Sequence, residues 1–126
     1  MQVRRPIEWF EIVVRDFDRA VKFYEAAFNV QFNIEQMNDM SMAIFPYPEG
    51  QTGGALVAGE CYKSCQSGSG SIVIYLPADS IKTTLAKIEQ LGGKTVMPCM
   101  EIGGNGYIAL FTDSEENTIG LWSPVP

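Results

Sequence analysis

The stretch from Trp9 to Tyr24 reads WFEIVVRDFDRAVKFY and contains the two signals that decide the fold. Its first part lies within Ile7–Val14, a run of β-branched and aromatic residues that predicts a strand. Its second part begins at Asp16, a residue type that caps helices, and Asn29 can end that helix in a left-handed conformation. Between them the apolar residues recur at helical spacing, at Ala20, Phe23, Tyr24, Ala27 and Phe28.

Three further strands are predicted before residue 60. Val30–Glu35 and Met40–Phe45 flank a polar turn, and Gly53–Ala58 follows a segment rich in proline and glycine. The first half of the chain is therefore expected to form a strand, a helix and three strands.

The same order recurs in the second half, about 64 residues later. Ser71–Leu76 predicts a strand, and Asp79 is the expected N-cap of a helix that ends at Gly92-Gly93. The apolar face of this helix comprises Ile81, Thr84, Leu85, Ile88 and Leu91, and later strands are expected at Lys94–Met97, Tyr107–Thr112 and Thr118–Trp122.

This repeat predicts an α+β protein built of two βαβββ modules. We expect a single domain over residues 1–126, with modules at about 5–60 and 70–124 and a polar linker at about 61–69. Each sheet has a helix on one face, and pairing the uncovered faces makes an incomplete barrel around a cavity. Small molecules usually bind in cavities of this kind.

Composition narrows the classes of function. Nine Lys and Arg stand against fifteen Asp and Glu, so the net charge is −6 and phosphate backbones would repel the chain. No apolar run approaches the roughly 20 residues of a membrane span, and no signal peptide is recognised. We therefore expect a cytoplasmic protein that binds neither nucleic acid nor a membrane. The chain has no histidine, which excludes histidine catalysis and histidine-ligated metal sites within it.

The three cysteines are an odd number without a secretory context, which favours free thiols. Cys61 and Cys65 lie in a polar loop, where a closed zinc site would need carboxylates or a second chain, and Cys99 lies far along the chain. A redox or metal role stays open beside the interpretation that these thiols are incidental.

Three segments together resemble the vicinal oxygen chelate superfamily of glyoxalase I, bleomycin-resistance proteins and extradiol dioxygenases. They are Trp9–Tyr24, the second helix from Asp79-Ser80-Ile81 to Gly92-Gly93, and the ending Phe111–Trp122, which is similar to the family's Asp-Pro-x-Gly-Asn-x-Ile ending. The resemblance covers nearly the whole chain. It implies paired βαβββ modules and a homodimer.

The resemblance also implies where a metal centre would lie. Metal-dependent members place His or Glu at four strand positions, which fall here on Trp9 and Gly120 and near Leu56 and Val73. None of these side chains can ligate a metal. We therefore predict a divergent member without the family's metal ligands and without a cofactor. A metal held by Glu11 together with a second chain stays open.

Strand alternation predicts which side chains share the cavity with Trp9. Residues two apart lie on one face of a strand, so Glu11 is expected to point inward beside Trp9. The other side chains that line the cavity are expected at the equivalent strand positions of the second module. The predicted ligand-binding residues are Trp9, Glu11, Val73, Tyr75, Thr118, Gly120 and Trp122.

Glu11 is the residue most favoured for a chemical role. A carboxylate is costly to bury in an apolar strand, and burial would raise its pKa toward the range useful for a general base or acid. Alternatively, Glu11 faces solvent or is neutralised by Arg4, Arg5, Arg15 or Arg19. Glu8 and Glu101 are weaker candidates that are expected to be surface charges.

Three functions remain open. The first is a protein that binds a small apolar or aromatic molecule in the cavity without a metal. The second is a metal-independent lyase or isomerase that uses Glu11 and Tyr75 for proton transfer. The third is a regulatory or structural dimer without ligand chemistry.

Overall fold

The computed structural model of the chain describes residues 7, 9–37, 39–60, 62, 72–104 and 106–126. The α+β fold with two βαβββ modules is confirmed, since one strand, one helix and three strands occur in order twice. The first module contains β1 (Trp9–Val13), α1 (Phe17–Phe28), β2 (Asn33–Met37), β3 (Met40–Ile44) and β4 (Gly53–Gly59). The second contains β5 (Tyr75–Pro77), α2 (Ile81–Gln90), β6 (Lys94–Glu101), β7 (Tyr107–Thr112) and β8 (Thr118–Ser123).

Helix α1 forms where the apolar spacing predicts it. The Asp16 carboxylate caps its first turn by accepting a hydrogen bond from the backbone N–H of Arg19 at 3.0 Å. Asn29 ends it in the left-handed region, with φ 53°. The predicted apolar face is buried at Ala20, Phe23, Tyr24 and Ala27, and Phe28 at its end is half-buried.

Helix α2 has a different N-cap from the one predicted. Ser80, and not Asp79, caps it, because the Ser80 hydroxyl accepts a hydrogen bond from the backbone N–H of Thr83 at 3.3 Å. Both residue types cap helices well, so the sequence pattern cannot separate the two neighbours. Leu91 also departs from the prediction, since it follows the last helical residue and is exposed.

Several strand boundaries differ from the predicted ones, because pairing with neighbouring strands decides where a strand begins and ends. β1 and β2 begin slightly later than predicted, and β5 comprises only Tyr75–Pro77, the residues that pair with β8. Ser71 lies outside the described residues. β6 continues past Pro98 to Glu101, although the predicted strand ended at Met97. Because β6 is an edge strand with an irregular register, it tolerates a proline, which lacks the N–H that an inner strand would use.

Each module forms its own four-stranded sheet. The strand orders are β1-β4-β3-β2 and β5-β8-β7-β6, with β1 and β5 parallel to their neighbours and the other pairs antiparallel. Among the described residues no strand of one sheet pairs with a strand of the other. The barrel is therefore incomplete, as predicted.

One hydrophobic core joins the two modules. Each helix packs on its own sheet, and the two helices contact each other. The core includes Tyr24 of α1, Ile88 of α2, Leu56 of the first sheet and Phe111 and Leu121 of the second. The other face of each sheet points away from its helix.

Cross-strand pairing aligns the two modules residue by residue. Glu11 pairs with Ala55 in the first sheet, and Tyr75, 64 residues after Glu11, pairs with Gly120 in the second. Glu11 and Tyr75 therefore hold equivalent places, in agreement with the predicted offset. By the same comparison Ala55 is the equivalent of Gly120.

Candidate functional site

The first sheet presents Trp9 and Glu11 on the face that points away from α1. Their neighbours Phe10 and Ile12 point to the opposite face and pack in the core, so alternation fixes the direction of both. Trp9 is 37% exposed and Glu11 is also exposed in the single chain. The burial expected for Glu11 within a closed cavity is therefore not found, because no second sheet covers this face.

Two aromatic side chains hold the Glu11 carboxylate. The indole Nε1–H of Trp9 donates to Glu11 Oε2 at 3.3 Å, and the Tyr62 hydroxyl donates to Glu11 Oε1 at 2.8 Å. Tyr62 also packs against an apolar cluster on the same face, formed by Met42, Ala55 and Val57. No ion pair of the described residues involves Glu11, so neither Arg15 nor Arg19 neutralises it. Arg4 and Arg5 lie outside the described residues.

The second sheet presents Tyr75, Thr118, Gly120 and Trp122 on the face that points away from α2. Leu76, Ile119 and Leu121 alternate with them and are buried beneath α2. The ring of Tyr75 lies over Gly120 so closely that a Cβ at position 120 would overlap it. Glycine at this position therefore makes room for the aromatic ring.

A cleft of about 1130 Å³ opens between the two modules. Its first wall contains Phe10, Phe28, Phe45 and Tyr47, and its second wall contains residues 72–80 together with Thr83 and Lys87 of α2. Only two of the predicted ligand-binding residues, Val73 and Tyr75, line this cleft. The other five, Trp9, Glu11, Thr118, Gly120 and Trp122, lie on the two sheet faces beside it.

The cleft continues into the Trp9 face through Tyr47. Tyr47 lines the cleft, its ring covers Gly53, and its edge meets the ring of Trp9 with centroids 6.0 Å apart. Gly53, which also lines the cleft, is the cross-strand partner of Trp9. Sequence reasoning missed Tyr47 and Tyr62 because both lie outside the strands that carry their partners.

The positions to which the resemblance assigns the family's metal ligands carry side chains that do not suit a metal. Trp9, Val73 and Gly120 offer no suitable donor, and Leu56, near which the third position was placed, is an apolar residue buried in the core. The residue equivalent to Gly120 is Ala55, which has no donor either. Among the described residues no group of three His, Cys, Asp or Glu side chains could hold an ion.

A buried carboxylate joins the second module to the start of α1. Glu115, in the turn between β7 and β8, accepts hydrogen bonds from the backbone N–H groups of Arg15 and Asp16 at 2.8 and 2.7 Å. The Arg19 guanidinium donates to both of its oxygens, at 2.7 and 2.9 Å. Burial alone would raise the pKa of Glu115, but the bonds from Arg19, the two backbone groups and Ser114 lower it to about 2.

A second set of hydrogen bonds lies beside it. The hydroxyl of Tyr24, fully buried in α1, donates to Asp113 Oδ2 at 2.8 Å, and the Asn117 amide donates to the same oxygen and to the carbonyl of Val13. Burial raises the pKa of Asp113 although these bonds oppose the shift, and burial together with the charge of Asp113 raises the pKa of Tyr24 well above its ordinary value. We call the contacts of Asp113, Glu115 and Asn117 with the first module the module junction.

The remaining sequence candidates lie away from these features. Glu101 is exposed at the end of β6, as expected for a surface charge. Cys99 is a free, half-buried thiol in β6. Glu8, Cys61 and Cys65 lie outside the described residues. Gly103 and Gly104 form the hairpin turn between β6 and β7, where the N–H of Ile102 bonds to the carbonyl of Gly106 at 2.9 Å.

The structure therefore belongs to the class of α+β folds built from paired βαβββ modules. The sequence profile of the Glyoxalase/Bleomycin resistance protein/Dioxygenase superfamily matches residues 7–121, and the chain belongs to that superfamily. No curated protein sequence matches the chain significantly.

Solved structures agree on the fold. A hypothetical protein from S. aureus shares 23% identity with a TM-score of 0.70, over 98% of this chain and 95% of that one. TnmS3, an antibiotic binding protein from Streptomyces sp. CB03234, shares 20% identity with a TM-score of 0.68, over 98% and 99%. A glyoxalase I mutant from Zea mays shares 20% identity with a TM-score of 0.71, over 92% of this chain and 45% of that longer one.

Within the described part of the chain, neither helix has the length and apolar character needed to cross a membrane.

Proposed function

We propose that this protein binds a small apolar or aromatic molecule in the cleft between its modules, without the metal centre of its metal-dependent relatives. The observation that carries the proposal is the cleft itself, about 1130 Å³ in volume and walled by Phe10, Phe28, Phe45, Tyr47 and Tyr75. Clefts lined by aromatic side chains with a few polar groups are typical of ligand sites. TnmS3, a neighbour in fold, is an antibiotic binding protein, which supports the same class of function.

The proposal includes a homodimer in the cytoplasm. The row Trp122, Ile108 and Met100 crosses the second sheet on the face that points away from α2, and both of its end residues are at least 40% exposed. A second copy of the chain would remove this apolar surface from water. The net charge of −6 and the absence of histidine fit a binding role that does not involve nucleic acid.

Titration with N-phenyl-1-naphthylamine, an uncharged aromatic dye whose fluorescence rises in apolar sites, tests the proposal. We expect saturable binding and a higher melting temperature with dye, because the dye binds the folded state alone. Thr83→Phe should fill the cleft from α2, where Thr83 is an exposed lining residue, and weaken binding at least about tenfold.

Gln90→Phe is the matched control, since Gln90 is also exposed on α2 but does not line the cleft. It should leave dye binding unchanged. Absence of saturable binding, or equal losses in the two variants, would contradict the proposal and favour a regulatory or structural dimer.

A second candidate is a metal-independent lyase or isomerase. The observation that favours it is the 2.8 Å hydrogen bond from the Tyr62 hydroxyl to Glu11, a pair of groups that can exchange a proton with a ligand. Tyr75, the other expected catalytic group, lies on the second sheet. Glu11→Gln should abolish turnover of any compound that the protein converts, whereas a binding protein would show no turnover with either form.

A further inference from the structure

Glu11 is a charged side chain beside an apolar cluster on its sheet face. Its surroundings on that face are Val13, Ala55, Val57 and Met42, which belong to one apolar cluster. The described residues supply no cation to it, since the ion pairs at Arg15 and Arg19 both go to the turn between β7 and β8. Glu11 is exposed, so its carboxylate is open to a cationic ligand that would supply the counter-charge.

The two aromatic donors hold the carboxylate in place but do not use all of its hydrogen-bond acceptor sites. Trp9 bonds to one oxygen and Tyr62 to the other, at 3.3 and 2.8 Å. An ionised carboxylate has about four acceptor sites, so about two remain for a ligand. The indole ring of Trp9, which is partly exposed, also has a π-face that attracts an organic cation.

We propose that Glu11, Trp9 and Tyr62 form a subsite for an organic ammonium group, so that the ligand of this protein is an amine with an aromatic or apolar body. The inference rests on the proposed function, because the body of the ligand is assigned to the cleft. An ammonium bonds to the carboxylate by charge-assisted hydrogen bonds, and the net charge of −6 attracts it from a distance.

The subsite lies close enough to the cleft for one molecule to reach both. Two residues of extended strand separate Glu11 from Trp9, a distance of about 7 Å. Trp9 in turn pairs with Gly53 and contacts Tyr47, and both of those residues line the cleft. A bicyclic ring with a one-carbon arm to its amine spans this distance.

The test compares two probes that differ in charge alone. 1-Naphthylmethylamine is a cation at neutral pH, and 1-naphthylmethanol has the same ring and arm but no charge. An exposed ion pair and an exposed cation–π contact each strengthen binding by a small factor, so the amine should bind about tenfold more tightly than the alcohol. The preference should fall as salt concentration rises.

A pair of variants locates the effect. Glu11→Gln should bring the ratio of the two affinities to about one, with little effect on the alcohol. Glu35→Gln is the matched control: Glu35 pairs with Met42, so it lies on the same sheet face, and it is exposed and carries the same charge. The control should keep the tenfold preference, because no indole or phenol hydrogen bond holds Glu35 among the described contacts.

Nuclear magnetic resonance shows where the amine binds. The chain has two tryptophans, so two indole N–H signals are expected, and Trp122→Phe identifies the one from Trp9. The amine should shift the Trp9 signal in the wild-type protein and not in Glu11→Gln.

The outcomes separate the two proposals. If neither probe binds, the proposed function fails and the ammonium subsite fails with it. If both bind with equal affinity to the wild-type protein, the cleft binds aromatic molecules but the subsite is overturned. A preference for the amine that Glu11→Gln leaves intact, or that Glu35→Gln removes equally, overturns the assignment to Glu11.

Discussion

Single residues at the module junction show what a sequence pattern can and cannot reveal. Tyr24 is part of the predicted apolar face of α1, and it is buried as expected. The pattern gives no sign that its hydroxyl reaches Asp113, because the two residues are separated by 89 positions in the chain. Glu11 is a similar case, since alternation predicts its face while Tyr62, 51 positions away, supplies its hydrogen bond.

Replacing Tyr24 with Phe tests the buried hydrogen bond. The change keeps the ring but removes the only hydroxyl that bonds to Asp113 among the described contacts, so a buried carboxylate oxygen loses a donor. We expect the free energy of unfolding to fall by about 1–3 kcal/mol, measured by urea denaturation.

Tyr107→Phe is the control for this change, since Tyr107 is half-buried and no hydrogen bond described between the placed residues involves its hydroxyl. It should change the free energy of unfolding by less than about 0.5 kcal/mol. Equal effects of the two substitutions would show that the hydroxyl of Tyr24 contributes nothing specific.

Whole elements were largely predictable from the sequence, and the exceptions have physical causes. Apolar spacing and capping residues predict both helices, because these signals lie within a few residues of one another. The limits of β5 and β6 depend on neighbouring strands, which local patterns do not contain. The predicted strand ended at Met97, whereas β6 continues through Pro98 because an edge strand accommodates a proline.

The anchoring of α1 by Glu115 predicts a pH dependence of stability. The pKa of Glu115 is about 2 in the folded protein and near 4.5 when unfolded, so the ionised form stabilises the fold. This contribution is complete above the unfolded value and is lost as pH falls toward the folded value. Asp113 acts in the opposite direction, because its raised pKa favours the folded state as pH falls.

Glu115→Gln isolates the Glu115 contribution. At neutral pH the variant should be about 2 kcal/mol less stable than the wild-type protein, and this difference should shrink between about pH 5 and pH 2, measured by urea denaturation at each pH. Glu116→Gln is the control, since Glu116 is exposed in the same turn and its pair with Arg15 spans 3.9 Å. Its effect should stay below about 1 kcal/mol at every pH. A difference for Glu115→Gln that does not vary with pH would contradict this account.

At the scale of the whole molecule, the order of elements predicted the architecture but not how the candidate site is divided. The repeat and the family resemblance led to paired modules, which the structure confirms. Strand alternation also predicted the sheet face on which each of Trp9, Glu11 and Trp122 lies. The prediction, however, placed all three residues in the wall of one cavity. In the single chain the helices and the module junction join the modules, so most of the predicted site residues lie on the sheet faces beside the cleft and not within it.

The open face of the second sheet leads to the prediction of a homodimer. Trp122, Ile108 and Met100 form an apolar row across β8, β7 and β6. Met100→Glu places a charge within this row, and burying that charge against a second copy is costly. We expect the wild-type protein to sediment at twice the chain mass in analytical ultracentrifugation, and Met100→Glu to weaken the dimer at least about tenfold.

Leu91→Glu is the matched control for the homodimer. Leu91 is also exposed and apolar, but it lies at the end of α2, away from the open sheet face. The same charge there should leave the dimer intact. A wild-type protein that sediments as a monomer would overturn the homodimer, and equal dissociation by the two variants would place the interface elsewhere. Because the modules of one chain are already joined at the module junction, Met100→Glu should remain folded, which circular dichroism can verify.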